Sequence, residues 1–397
     1  MDIWKWVYDA AAEARRTGNA RLAELIDRLP TVVTEDAHAQ ADALFPEALA
    51  LARQAKSPWL EVFFRHWNLQ SRIFHRSEPG EWLSESISLL EFAHREETRE
   101  CPQSVCVTQD VAGCYGRADG PGWASERKAV VLETLARIDP TWPCFTCLST
   151  EYFLGLLDEE RFEEALAWLE QQENALVAAG QAHKRKYLLG ERADVLLALG
   201  RLPEALAAAE ECEESTQSDH TRMEARLLRA RVLARMARTS EALEALPVLS
   251  AVRSTPSHYG NWTDALVRLV KAEAIPNDAN LERTLLELAG RLASTGAIRG
   301  AVRLEVHRAE AALERGQPQS ALHACARLEA LVPRLRKPLG ADETLRRLRA
   351  RAEALTSERP PPLPESAAAL LEAAQESPED VLRMLDEAGT RWPGERA

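Results

Sequence analysis

One pattern recurs through the second half of the chain. An apolar helical stretch leads into a tight turn, and a second helix then opens on Glu-Ala-Leu or Ser-Ala-Leu. It runs from Tyr152 to Ala165, from Ala193 to Ala205, from Ala230 to Ala242 and from Ala309 to Ala321. The closing alanines lie 40, 37 and 79 residues apart, so the last interval holds two periods, with a degenerate unit from Trp262 through Leu281 to Leu292. A unit of this size cannot bury its apolar face alone and must stack on its neighbours. At 397 residues the chain also exceeds what one compact core usually encloses.

Signals for strands are nearly absent, with no sustained β-branched alternation and no Asn-Gly or Asp-Gly hairpin between such runs. Ala, Leu, Glu and Arg dominate instead, and these have good helix propensity. Counting back from Ala165 predicts two earlier helix pairs, 58–74 with 81–96 and 103–115 with 123–138, in which Trp82 and Trp123 open the second helices. The turn is echoed from Arg15 through Gly18 to Ala23. Beyond Pro333 a helix is expected over 342–355, then a proline run from Arg359 to Pro364 that must be extended. Two short helices follow, 365–375 and 377–388, the second with Ser377 as N-cap and Pro378 at its first position. The layout is therefore aromatic-rich divergent repeats over 1–143, clearer repeats over 144–333, a capping helix over 334–358, a proline-rich linker over 359–364 and a helical tail over 365–397.

The small residues in the first helices (Ala193, Ala230 and Ala309, with Phe153 as the exception), the turn glycines Gly200 and Gly316, and the alanines Ala165, Ala205, Ala242 and Ala321 resemble the tetratricopeptide-repeat family. The period of 37–40 departs from that family's usual length of about 34. The resemblance implies an all-α, right-handed α-solenoid of about eight antiparallel helix pairs. It also implies a concave groove that holds peptides or helices, with Tyr187, Asp194, Glu224, Arg231, Arg235, Arg303 and Glu310 on the groove side. Arg222, Arg226, Arg229, Arg231, Arg235 and Arg238 make one stretch strongly basic. Arginine suits bidentate capture of carboxylates, although pairing with Glu210, Glu211, Glu213 and Glu214 would serve as well.

The formal charge of −13 argues against nucleic acid as a partner, because displacing phosphate counterions needs a basic face. No apolar run reaches membrane-spanning length, and 1–14 does not read as a secretory signal, so a cytoplasmic address is expected. Seven cysteines form no disulfide framework, but Cys101, Cys106, Cys144 and Cys147 fall about one period apart where two inner helices should begin. Stacked helix starts could gather four thiolates around a structural zinc ion, while the plainer reading is that these are small buried hydrophobes. No cofactor is required by anything in the sequence.

Nineteen of the 23 aromatic residues lie at or before Trp168. Trp59, Phe63 and Trp67 share one helical stripe, which reads first as core and second as an aromatic docking surface. No nucleophile elbow, phosphate-binding glycine loop or His-Glu-x-x-His is present. The function expected is therefore a non-catalytic scaffold or adaptor that holds a protein or peptide segment in its groove. The alternative is a ligand- or peptide-sensing regulatory module acting through another protein; an enzyme with an unrecognised site in the N-terminal half comes third.

Overall fold

The structure is a computed structural model that describes residues 3–216, 219–252 and 255–358; the proline-rich linker and the tail expected after it lie outside these residues. Among the described residues there is no strand. The helices are α1 (Ile3–Arg16), α2 (Ala20–Thr34), α3 (His38–Gln54), α4 (Pro58–Leu69), α5 (Pro79–Ala93), α6 (Ser104–Ala118), α7 (Ala124–Leu135), α8 (Phe145–Asp158) and α9 (Phe162–Ala178). The chain continues through α10 (Leu189–Ala198), α11 (Leu202–Ser215), α12 (Asp219–Arg235), α13 (Thr239–Ala245), α14 (Pro256–Lys271), α15 (Ala279–Ser294), α16 (Ile298–Glu314), α17 (Pro318–Leu331) and α18 (Ala341–Glu358). Each even-numbered helix from α2 to α16 is followed by an odd-numbered helix packed beside it, except that α15 packs chiefly on α16 and not on α14, and the array is capped by α1 and α18. Even helices also touch the next even helix along much of the array, from α4 to α18, and so form its inner layer.

The repeat residues behave as their chemistry requires. Ala165, Ala193, Ala205, Ala230, Ala242, Ala309 and Ala321 are fully buried at the helix crossings, where a larger side chain would hold the helices apart. Gly200 and Gly316 take φ of 75° and 69°, and the following N–H groups reach back to Leu196 and Ala312 carbonyls at 2.9 Å, closing the first helix of each pair. Glu160 and Ala237 occupy the same left-handed position at φ 57° without being glycine.

The core is a succession of clusters. One runs through α1–α4, others through α4–α8, one through α8–α13 and one from Leu227 to Ala352. No hydrophobic cluster joins the first helices to the last, yet α16 packs back against α6, so the array closes on itself.

The aromatic stripe belongs to the interior. Phe63 is fully buried, its ring 6.0 Å from Trp6 and 5.4 Å from Phe64, while half-buried Trp59 donates its indole N–H to the Glu97 carbonyl at 3.0 Å. Trp67 is half-buried against Phe63. The docking surface expected at these three residues is thus covered by α1, whose own Trp4 and Tyr8 are the exposed rings here. The four cysteines are also not one group. Cys106 and Cys144 share a cluster at the starts of α6 and α8, but Cys101 packs with Cys114 in another. Among the described residues no set of three or more His, Cys, Asp or Glu is arranged to hold a metal ion. Nor is any described helix long and apolar enough to cross a membrane.

Candidate functional site

The concave face is built from helical spacing. On α10, Glu191 and Asp194 lie three residues apart and share a face; on α12, Glu224 and Arg231 are two turns apart; on α14, His258, Asn261, Asp264 and Arg268 follow one stripe. Stacking these three helices side by side turns the stripes into one polar surface. Arg231 stitches it, donating to Asp194 at 2.5 Å on one side and to Asp264 at 2.7 Å on the other. Arg303 of α16 continues the row and donates to the Gly260 carbonyl at 2.7 Å.

Beside this stitch a cleft of about 510 Å³ opens between α10, α11, α12 and α14, lined among others by Lys186, Tyr187, Glu191, Asp194, Glu224 and His258. Tyr187 presents 58% of its surface to solvent there. His258 lies 2.5 Å from Glu224 through Nε2, and its Nδ1 meets the hydroxyl of the helix-capping Thr255. Burial, helped by the charges of Asp194 and Glu224, pushes the Glu191 carboxyl up to about 7, and Thr150 is its hydrogen-bond partner at 3.3 Å. Of the three carboxylates in this lining, Asp194 already accepts from Arg231 and Glu224 meets His258, and Lys186 is the lysine beside them.

A raised carboxyl pKa means that the folded state holds the proton more tightly than the unfolded chain. Glu191 therefore opposes folding above about pH 7, and the penalty shrinks as pH falls towards the ordinary glutamate range. Glu191→Gln should accordingly stabilise the protein by roughly 1–3 kcal/mol at pH 8 and by clearly less at pH 5, read from denaturant midpoints.

Of the seven groove residues expected from sequence, Tyr187, Asp194 and Glu224 line this cleft, and Arg231 and Arg303 lie next to it on the same face. Arg235 is exposed at the end of α12. Glu310 lies elsewhere, in a second cleft of about 320 Å³ with Lys271, Arg347 and Arg351. The arginines of this basic stretch are mostly engaged: Arg229 with Glu213 at 3.3 Å, Arg226 with the Glu244 carbonyl, Arg231 as described, and Arg238, just before α13, with Glu241 at 2.5 Å. Capture of a ligand carboxylate by Arg231 is thus displaced by its two internal partners. Sequence reading missed Glu191 and His258. The first was accessible, since it stands three residues before Asp194; the second depends on how α14 docks.

No family model matches the chain, and no curated protein sequence matches it. Among solved structures it is similar to a crystal structure of a Rap protein complexed with competence and sporulation factor, at 14% identity and a TM-score of 0.46, over 83% of this chain and 99% of that one.

Proposed function

We propose that the chain is a tetratricopeptide-like interaction module that holds a protein or peptide segment against its concave face, with a lysine, arginine or N-terminal ammonium of that segment seated in the α10–α14 cleft. The observation that carries this reading is the cleft itself. Three carboxylates converge there around an exposed tyrosine, on the face where Arg231 is already committed to Asp194 and Asp264. Partly exposed acids of this kind reward a cation that completes their pairing, and the Tyr187 ring, which already holds the Lys186 ammonium 5.2 Å from its centroid, adds stacking or cation–π attraction.

Synthetic decapeptides of fixed length and varied charge, labelled and titrated by fluorescence polarisation, test it. Peptides rich in Lys and Arg should bind, and Glu191→Lys/Glu224→Lys should weaken them at least about tenfold, since each lost charge-assisted contact is worth roughly 1.5–3 kcal/mol. Affinity should rise from pH 6 to pH 8 as Glu191 ionises. Binding that ignores peptide charge, or survives the double reversal, would sink the proposal. A second reading keeps the same cleft for a small organic cation, since its volume falls within the range of small-molecule sites, about 300–1,000 Å³.

A further inference from the structure

The seam where the array meets itself has an unusual composition. Asp119, at the end of α6, is 4% exposed and gathers four donors from the far end of the chain. Arg299 reaches it through Nε at 2.8 Å and Nη2 at 2.5 Å, while the backbone N–H groups of Arg336 and Lys337 donate to its other oxygen at 2.7 and 3.4 Å. Arg299 in turn donates to the carbonyls of Lys337 and Pro338. Arg336 lays its guanidinium 4.0 Å over the ring of Trp123, which stacks on Tyr115, and pairs with Glu126 at 2.6 Å. At the other edge two backbones touch: the N–H of Gly80 donates to the Thr295 carbonyl at 3.3 Å, and a Cβ on Gly80 would stand 2.9 Å from the Gly296 Cα.

The seam is polar: it is held by the hydrogen bonds of Asp119, Arg299 and Gly80 and by the Arg336–Glu126 pair, and the hydrophobic clusters on its two sides share no residue. The turn after Asp119 also rests on Asp158 at the end of α8, whose Oδ1 a Cβ on Gly120 would approach to 2.7 Å, and Asp158 pairs with Arg127 of α7 at 3.0 Å. Interfaces held by hydrogen bonds and charge, with no shared apolar core, separate far more readily than helix pairs that share one.

We propose that the seam is a clasp: the array alternates between a ring closed through Asp119 and an open arc, and a segment enters the concave face while the clasp is open. The entry step rests on the peptide-binding reading above; the opening does not. Closure is decided by a few groups that can be altered without touching the cleft. Asp119→Asn removes the charge that holds four donors. Gly80→Val leaves every charge in place and wedges the two backbones apart, at a helix start whose own conformation tolerates a side chain.

Small-angle scattering of the full chain without ligand, with hydrogen exchange by mass spectrometry, tests the clasp. Both variants should increase the radius of gyration. Amides over 335–337 should exchange about tenfold faster or more, while those of α8–α11 keep wild-type protection. Should Asp119→Asn lose helicity as a whole, Gly80→Val alone decides. Unchanged scattering and unchanged protection of 335–337 in a folded Gly80→Val would overturn the proposal. Because no ligand is present, such a failure leaves the cleft reading untouched, and loss of peptide binding leaves the clasp untouched.

Discussion

Glu305→Ala should destabilise the C-terminal repeats by about 3–5 kcal/mol, among the largest effects of any single substitution in this protein. Glu305 is fully buried in α16 and accepts from Arg308 at 2.7 Å and from Arg327 of α17. Arg308 is the largest fully buried side chain among the described residues, 1% exposed, and its only other carboxylate neighbour at ion-pair range is Glu282 at 3.6 Å. Both terminal nitrogens of Arg308 lack a hydrogen-bond partner, so the pair with Glu305 carries most of its compensation. Removing the glutamate strands a guanidinium where water cannot reach it, and truncation leaves a cavity as well. Replacing both partners, as Glu305→Leu/Arg308→Met, should recover most of the loss, because the polar pair stabilises little relative to a packed apolar one. Urea denaturation followed by circular dichroism measures both. A double variant no better than the single would show that Arg327 and Glu282, rather than Arg308, govern the site.

Arg127→Met should cost about 3 kcal/mol or more at pH 7.5 and distinctly less at pH 5.5. Arg127 of α7 is 3% exposed and bridges Glu151 of α8, through Nε at 2.9 Å and Nη2 at 2.5 Å, to Asp158 at 3.0 Å. Burial already pushes the Asp158 carboxyl up to about 6 despite the opposing pull of Arg127. Without the arginine the folded state takes up a proton still more readily, so stability lost at high pH is regained as pH falls through that range. Thermal midpoints at the two pH values decide it. An equal loss at both would mean that Arg127 acts through packing of its stem rather than its charge.

Much of the fold was legible from sequence because its determinants are local. The alanines at 37–40-residue intervals and the glycines at left-handed turns each act within one pair, so they place α8–α11 and α16–α17 directly. The weak unit around Trp262 is readable only through the doubled interval, and it is irregular in the fold as well: α14 packs chiefly on α12, and α15 on α16. The site was half legible. Tyr187, Asp194 and Glu224 followed from knowing which helices face inward, but the sign of the cleft did not. A helix with five arginines reads as an anion receptor until Asp194 and Asp264, each more than thirty residues away from Arg231, are seen to occupy it. Asp119 carried no signal at all. Its partners Arg299 and Arg336 are 180 and 217 residues distant, and only the accumulated rotation of the intervening pairs brings them together.

The contact of Gly80 with Gly296 also limits how such a chain can change over time. An open array can gain or lose a repeat internally and simply grow longer or shorter. A ring cannot: inserting or deleting one pair between α5 and α15 would swing Arg299 and the 335–338 segment out of register with Asp119 by a full repeat. Growth is free only outside the closing segment, at the N-terminal side of α5 or beyond α18. Duplication of units, the ordinary route by which repeat proteins diversify, is thereby confined to the two ends.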